Sequence, residues 1–182
     1  DDILKELGDV EKVKSIDFTS GRITKFIDKN CLSIGLSSGF LEPLQATSLH
    51  LTLMQMQLFA YSFPTANCLG DEDLEQDYNN MIGDLHDSMR DFVSIHYSGG
   101  KTDTDFWKNI KVTPFVEKII SLSKKRLPRS FDFPRYSGGV RQESYNPILW
   151  GLGHFNECPI QETFDSDSAS MLYWIKKSTE YG

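Results

Sequence analysis

Apolar residues recur with two periodicities along the chain. A short alternating pattern lies near the start, and a helical pattern covers most of the remainder. Residues 3–13 have helical spacing, which predicts a short helix, whereas residues 14–19 alternate and residues 31–36 form a short apolar run, which predicts two strands. Ser20-Gly21-Arg22 is typical of a turn, and residues 23–27 favour a further strand. In this order, two or three strands would need partners from outside the chain.

Longer helices are predicted in the middle of the chain. Residues 37–48 form a loop that feeds a helix ending near Tyr61, and a second helix covers residues 71–97. Thr113 and Pro114 start a third helix, with threonine as the N-cap and proline at the first helical position. The second helix carries one apolar stripe, made of Leu74, Tyr78, Met81, Leu85, Met89, Phe92, Val93 and His96.

The last third of the chain continues this helical character. Residues 127–139 contain two prolines and two adjacent glycines, which favours a loop. Residues 145–153 predict a short buried helix, and residues 165–179 predict an amphipathic one. The chain is therefore expected to be mainly α with a few strands.

Composition narrows the class of protein. The 182 residues are 39% apolar and 25% charged, as in soluble globular proteins, and the formal net charge of −7 argues against a general nucleic-acid binder. Cys31, Cys68 and Cys158 lie far apart and form no CxxC pair, which favours a reduced cytoplasmic compartment. No apolar stretch reaches the roughly 18 residues of a membrane span. Because the first residue is aspartate, the numbering is expected to begin inside a longer polypeptide.

One segment is better suited than the others to bind a reactant. It consists of a strand, a glycine-containing loop and a helix start near Thr47. Such a junction directs unpaired backbone N–H groups toward one point, and the helix dipole adds about half a positive charge there. An anion can be held at such a point without a nearby cation. The alternative is that Gly39 and Pro43 only make a tight connection.

This loop resembles the central motif of flavin-dependent tryptophan halogenases. The resemblance rests on Gly35-Leu36-Ser37-Ser38-Gly39-Phe40-Leu41-Glu42-Pro43-Leu44. It is supported in the same order by Ser20-Gly21-Arg22, by residues 90–97 (Arg-Asp-Phe-Val-Ser-Ile-His-Tyr) and by Asp105-Phe106-Trp107. It covers most of the first 110 residues and weakens after Val112.

The resemblance implies an α/β flavoprotein-monooxygenase-like (FAD-binding) fold with a helical C-terminal subdomain. Residues 1–50 would then be the end of the FAD-binding core with the halide loop. Residues 51–182 would be a mostly helical substrate-side subdomain.

The resemblance also implies an activity. Reduced FAD and oxygen give a C4a-hydroperoxyflavin, which oxidises chloride or bromide to hypohalous acid, and this halogenates an electron-rich aromatic small molecule, typically in antibiotic biosynthesis. By position, backbone N–H groups of Thr47 and Ser48 would bind the halide, and Leu36, Gly39 and Leu49 would contact the flavin. A separate flavin reductase is implied, no nucleic acid, membrane or metal partner is expected, and homodimer formation is left open.

Two departures from the family pattern bear on the reaction. The second carboxylate of the family loop is replaced by Gln45, which cannot act as a base, so altered or slower chemistry or another substrate class is expected. Glu42 is expected to brace the loop.

On the substrate side, residues 140–143 (Val-Arg-Gln-Glu) stand where the family has an aromatic sandwich, which argues against tryptophan itself as the substrate. Tyr136, Tyr145 and Trp150 would line a different pocket, or belong to the core.

Two other functions stay open at this point. Gln45 is compatible with a related flavin monooxygenase that does not use halide, and the helical pattern is compatible with a noncatalytic helical interaction module. The four histidines have no metal-binding spacing. By itself this chain is expected to be inactive, because it contains neither the dinucleotide loop nor the tunnel lysine of the family.

Overall fold

Helices dominate the computed structural model, which describes residues 17–42, 44–133 and 139–157. The α-helices of this part are α1 (Thr47–Ser62), α2 (Glu72–Ile95), α3 (Asp105–Asn109), α4 (Pro114–Ser123) and α5 (Gln142–Gly151). The short strands are β1 (Gly21–Arg22), β2 (Ile27–Asp28), β3 (Cys31–Leu32) and β4 (Gly39–Phe40). A mainly α chain with few strands is therefore confirmed for the described residues.

The strands form two separate antiparallel pairs. In the first pair, Gly21 lies opposite Phe40 and Arg22 opposite Gly39. In the second pair, Ile27 lies opposite Leu32, so that β2 and β3 form a tight hairpin.

The predicted strands were wrong in extent. Residues 17–19 are not in a strand, residues 14–16 lie outside the described residues, and the expected turn at 20–22 contains β1 instead. The run 31–36 is a strand only over β3, because Gly35 adopts φ +63° and starts a 3-10 turn at Gly35–Ser37. The Ser37 hydroxyl stabilises this turn by donating to the Ile34 carbonyl, a local hydrogen bond that competes with strand pairing.

The helices begin where local signals predict. The Asp71 carboxylate accepts the N–H groups of Asp73 and Leu74 and caps α2. The Thr113 hydroxyl accepts the Val116 N–H and caps α4, with Pro114 at the first helical position. The predicted ends near Tyr61 and at residues 71–97 agree with α1 and α2 within two residues, whereas α5 begins three residues earlier than predicted. The segments 3–13 and 165–179 lie outside the described residues.

Helix α2 contributes buried side chains to all three hydrophobic clusters of the described residues. Tyr78 and Ile82 pack with Phe26 and Leu58 near one end, and Ile95 packs at the other end. Between them, Leu85 and Met89 contact Leu51 of α1. The predicted apolar stripe on this helix is thus confirmed. Helix α1 runs across position 50, and the proposed division of the chain at that position stays a prediction.

Candidate functional site

Gln55, a fully buried residue of α1, binds the loop between β3 and α1 through hydrogen bonds to its side chain. The Gln55 side-chain oxygen accepts the Gly35 N–H at 3.3 Å and the Ser38 hydroxyl at 3.2 Å. Sequence reasoning missed Gln55. The signal was a polar residue in phase with Thr47, Leu51 and Leu58, the buried positions of an otherwise apolar helix.

Gly39 fits this loop for a steric reason. A Cβ atom at this position would lie 2.9 Å from the Gly21 carbonyl oxygen and 3.0 Å from the Arg22 Cα. Only glycine therefore allows β4 to approach β1 at this point. The predicted flavin contact of Gly39 stays a prediction beside this structural role.

The end of the loop is tied to α2. The Tyr97 hydroxyl, just past α2, lies 2.8 and 2.9 Å from the two oxygens of the Glu42 carboxylate and donates to it. The Ser20 hydroxyl donates to the Leu41 carbonyl at 2.6 Å. The bracing role predicted for Glu42 is thus confirmed. This hydrogen bond, together with burial, raises the pKa of Tyr97.

Helix α1 starts abruptly at the predicted halide position. Ala46, the N-cap, has φ 52° and ψ 31°, a left-handed conformation that costs a non-glycine residue roughly 1–2 kcal/mol. Thr47 and Ser48 are the first two helical residues, and N–H groups in a first turn have no acceptor within their own helix. The first turn of α1 carries no acidic residue, so its positive end is not neutralised locally.

Thr47 is only 3% exposed, and its hydroxyl has no hydrogen-bond partner among the described residues. A buried polar atom normally has such a partner, and its lack costs about 1–3 kcal/mol. An unsatisfied donor at a helix start is thus the feature that a bound anion or polar ligand would complete.

A cleft of about 720 Å³ opens beside Thr47. Met89 and Phe92 of α2 and Val140 give it an apolar wall. Its remaining lining residues are Thr47, His50, Gly139, Arg141, Glu143 and Ser144. The start of α1 and the start of α5 therefore face one common space.

The two leucines predicted to contact the flavin are not core residues. Leu36 is 73% exposed in its 3-10 turn, and Leu49 is 69% exposed in the first turn of α1. Leu53 and Met56 continue the exposed apolar surface along α1. Grouped exposed apolar side chains of this kind mark a contact surface.

The predicted substrate residues do not join this site. Tyr145 is 1% exposed and packs against Phe92, Phe115 and Phe133, with ring centroids 4.9 to 6.1 Å apart. Burial raises the pKa of Tyr145 far above its usual range. Trp150 is half-buried and packs near Phe155 at the edge of the same core. Neither side chain lines the cleft.

Three other residues singled out from the sequence are placed as follows. Pro43 and Tyr136 lie outside the described residues, and the backbone of Gln45 lies in the 3-10 turn Leu44–Ala46.

Two other kinds of site are not found in the described part. Residues 17–42, 44–133 and 139–157 contain no group of three or more histidine, cysteine or acidic side chains arranged to hold a metal ion. Within the same ranges, every helix is too short or too polar to cross a membrane.

Solved structures that share this fold include flavin-dependent halogenases. A tryptophan C-6 flavin-dependent halogenase from taromycin biosynthesis matches with a TM-score of 0.73 and 28% identity, over 91% of this chain and 34% of that one. A flavin-dependent halogenase of Brevundimonas sp. BAL3 matches with a TM-score of 0.63 and 29% identity, over 91% of this chain and 33% of that one. The chain belongs to the tryptophan halogenase family, whose model matches residues 2–161.

Relatives in sequence agree. The chain is 32% identical over 152 residues to the tryptophan 6-halogenase SttH of Streptomyces toxytricini. The matched region covers 81% of this chain and 28% of SttH. It is 28% identical over 167 residues to the tryptophan 7-halogenase RebH of Lentzea aerocolonigenes. This match covers 83% of this chain and 31% of RebH. The chain thus spans less than a third of the length of these relatives.

Proposed function

We propose that this chain acts within an FAD-dependent halogenase that oxidises chloride or bromide and halogenates an electron-rich aromatic small molecule. The observation that carries the proposal is the start of α1. There, Thr47 is the first residue of the helix and lines a cleft, and its buried hydroxyl has no partner among the described residues.

The halide would be held by the backbone N–H groups of Thr47 and Ser48, with the Thr47 hydroxyl as a further donor. These groups carry no full positive charge, so they bind an anion without pairing it to a cation. Such an ion keeps the lone pairs through which it is oxidised. The left-handed Ala46 fits this role, because strained non-glycine residues are frequent at functional sites.

The flavin would lie against Leu36, Gly39 and Leu49. The exposed leucines fit an apolar ring system, and their contact with it would keep water away from the halide. A separate flavin reductase would deliver the cofactor in its reduced form, and the reduced cofactor together with dioxygen would supply the two-electron oxidant that converts halide to hypohalous acid.

Gln45 would act at the substrate end. An amide has no ionisable group, so it can orient a polar reactant through hydrogen bonds but cannot take up the proton that the ring loses. Proton removal is therefore expected to be slow compared with an enzyme that has a carboxylate at this position.

Gln45 also favours the second candidate function, a flavin monooxygenase that does not use halide. The two functions differ in their product. The full-length protein, supplied with reduced FAD and an indole or phenol panel, is assayed by mass spectrometry in chloride, bromide or halide-free sulfate buffer. Halogenation predicts products whose mass follows the halide and that disappear in sulfate. A hydroxylated product that is the same in all three buffers would support the monooxygenase and overturn the halogenase proposal.

A further inference from the structure

The 3-10 turn Gly35–Ser37 packs on one face of α1. Ser48 and Gln55 are seven residues apart, about two helical turns, so their side chains lie on the same face. Between them, the Thr52 hydroxyl donates to the Ser48 carbonyl at 2.8 Å. A Cβ atom at Gly35 would lie 3.6 Å from the oxygen of the same hydroxyl. The turn therefore rests on the face of α1 that begins at the proposed halide position.

Gln55 joins this turn to α1 by hydrogen bonds. Its side-chain oxygen accepts the Gly35 N–H and the Ser38 hydroxyl, and the exposed Leu36 lies between these two donors in the sequence. Ser38 is 1% exposed, and its carbonyl accepts the N–H of Ile23, the residue that follows β1. Gln55 thus fixes where Leu36 stands relative to the start of α1.

The position of Gln55 is itself fixed. Its side chain is fully buried, so the surrounding packing restricts its rotamers. Its backbone carbonyl accepts the hydroxyl of Tyr78, a fully buried residue of α2, at 3.1 Å. The Tyr78 ring packs against Phe59 and Phe63, with centroids 6.1 and 5.8 Å away. A series of contacts therefore runs from α2 through α1 to the turn.

Stability alone does not explain an amide at this position. Gln55 is in phase with Leu51 and Leu58, buried apolar residues of α1. Its Nε2 group has no hydrogen-bond partner among the described residues, and a buried donor without a partner destabilises a fold. A methionine of similar length would fill the space without an unsatisfied amide. The oxygen that holds the turn is the part of the side chain that an apolar residue would not replace.

We infer that Gln55 is a positioning residue for halide oxidation. By holding the turn that carries Leu36, it sets how close a flavin against Leu36 comes to a halide at Thr47 and Ser48. This inference rests on the proposed function, because it assigns the turn a part in that reaction. Gln55 itself contacts neither the flavin nor the halide in this scheme.

The distance between flavin and halide decides which product dioxygen gives. When the halide is in reach, dioxygen takes two electrons from the reduced flavin and two from the halide, and with one further proton it forms hypohalous acid and water. When the halide is out of reach, dioxygen takes only the two electrons and two protons of the reduced flavin and leaves as hydrogen peroxide. A displaced turn should therefore divert reduced flavin from hypohalous acid to hydrogen peroxide.

The test compares the full-length protein with Gln55→Met, which removes the acceptor, and Gln55→Glu, which keeps an acceptor oxygen. Reduced FAD reacts with air in bromide buffer in a single turnover, with enzyme in excess so that free flavin does not contribute. A 1,3-diketone traps hypobromous acid, and hydrogen peroxide is measured in parallel. Flavin fluorescence gives the Kd for FAD, and thermal unfolding without FAD gives Tm.

We expect Gln55→Met to raise the ratio of hydrogen peroxide to hypobromous acid about threefold or more. The Kd for FAD should rise about fivefold, because the turn that presents Leu36 is no longer held. The bromide concentration for half-maximal trapping should stay within about twofold, because the start of α1 is unchanged. Tm should stay within about 3 °C, because one unsatisfied donor replaces another. Gln55→Glu should keep most of the wild-type behaviour.

Gln57→Met is the matched control, because Gln57 is an exposed residue of α1 whose amide donates to the Tyr61 hydroxyl. It should leave the product ratio and the Kd for FAD at wild-type values. Ser38→Ala removes one of the two donors that Gln55 accepts, and it should shift the product ratio in the same direction by a smaller factor. This second variant tests the inference even where Gln55→Met does not fold.

An unchanged product ratio in Gln55→Met and Ser38→Ala would overturn the inference. So would an equal change in Gln57→Met, or a fall in Tm of Gln55→Met with the product ratio unaltered, since either would show a structural role alone. Lack of hypobromous acid from the wild type, with the loss of FAD affinity in Gln55→Met intact, would overturn the proposed function and still support Gln55 as the residue that positions the flavin.

Discussion

At the scale of single residues, Thr47 is the side chain on which the proposed halide site depends most. Its hydroxyl is buried without a partner among the described residues, and buried polar atoms normally have one. Valine has nearly the same shape as threonine but no donor. The two residues therefore separate a structural role from a ligand-binding one.

We expect Thr47→Val to raise the free energy of unfolding of the ligand-free protein by about 1 kcal/mol, since it removes an unsatisfied polar atom. The same change should raise the KM for halide about tenfold, whereas Thr47→Ser should keep it near the wild-type value. Thermal unfolding and steady-state halide titrations of the full-length enzyme measure both effects. A halide KM that is the same in all three proteins would exclude the hydroxyl as a ligand.

For Gln45 we predict a substitution that increases activity. If proton removal is slow because an amide replaces a carboxylate, Gln45→Glu should raise kcat by about tenfold or more and leave the halide KM unchanged. Gln45→Ala should not raise it, which separates the effect of the charge from that of a looser loop. A kcat that stays constant or falls in Gln45→Glu would show that another group accepts the proton.

His86 is another of the described residues whose buried polar atoms have no hydrogen-bond partner. It is 1% exposed and stacks on Phe26 at 5.2 Å, and neither ring nitrogen has a partner among the described residues. Burial, assisted by the nearby Arg22, lowers the pKa of His86 to about 4, against the attraction of Asp87. The folded protein therefore holds this ring neutral at a pH where the unfolded chain would protonate it.

Stability should consequently fall as the pH drops from about 6.5 toward 4, because the unfolded state takes up the proton first. At pH 5 this group alone should cost about 2 kcal/mol relative to neutral pH. His86→Leu should flatten this part of the curve. Some decline should remain, because burial also lowers the pKa of His154. Urea unfolding between pH 4.5 and 7.5 measures the difference, and parallel curves for wild type and variant would contradict the assignment.

At the scale of elements, the halide loop depends on the close approach of β1 and β4. Gly39 lies where a Cβ would meet backbone atoms at 2.9 and 3.0 Å, whereas a Cβ at Gly21, in the facing strand, would meet nothing within 4 Å. The two glycines are thus a matched pair in one ladder.

Gly39→Ala should lower the free energy of unfolding by about 1–3 kcal/mol, because the strands must separate to accept the methyl group. Gly21→Ala should lie between no change and a gain of up to about 1 kcal/mol. Halogenation should fall only in the first variant. Equal stability of the two would show that the observed strand approach is not needed by the fold.

The elements also show which parts of the fold could be predicted. Helices α2 and α4 were predictable because Asp71, Thr113 and Pro114 are local signals that act within one turn. The strands were not, because each is only two residues long and too short for a periodic pattern, and β1 pairs with the distant β4. The apolar run after Cys31 gave no sign that Gly35 would turn the chain.

The same division applies to the site. The position of Thr47 at a helix start could be predicted from the motif around it. The buried position of Gln55 had a signal in the phase of α1. Its contacts with the loop, and the cleft formed with Val140 and Arg141, could not be predicted, because they bring together residues far apart in sequence. Tyr145 was a candidate only because aromatic residues serve both cores and pockets, and the structure puts it in a core.

At the scale of the whole molecule, α1 is apolar on more than one face. Leu51 and Leu58 are buried against the remainder of the chain, while Leu49, Leu53 and Met56 are 55 to 69% exposed. Such a helix is typical of one packed on both sides within a larger fold. This agrees with a chain that spans less than a third of its relatives' length, and by itself it should show no halogenation.

The halide site at Thr47 and Ser48 is tested by the anomalous-scattering map of a bromide-soaked crystal of the full-length protein with FAD bound. We expect a bromide peak within hydrogen-bonding distance of the Thr47 and Ser48 backbone nitrogens, on the side of α1 where Leu36 and Leu49 would contact the flavin. A map without that peak, or one in which both nitrogens donate to other protein atoms, would contradict it.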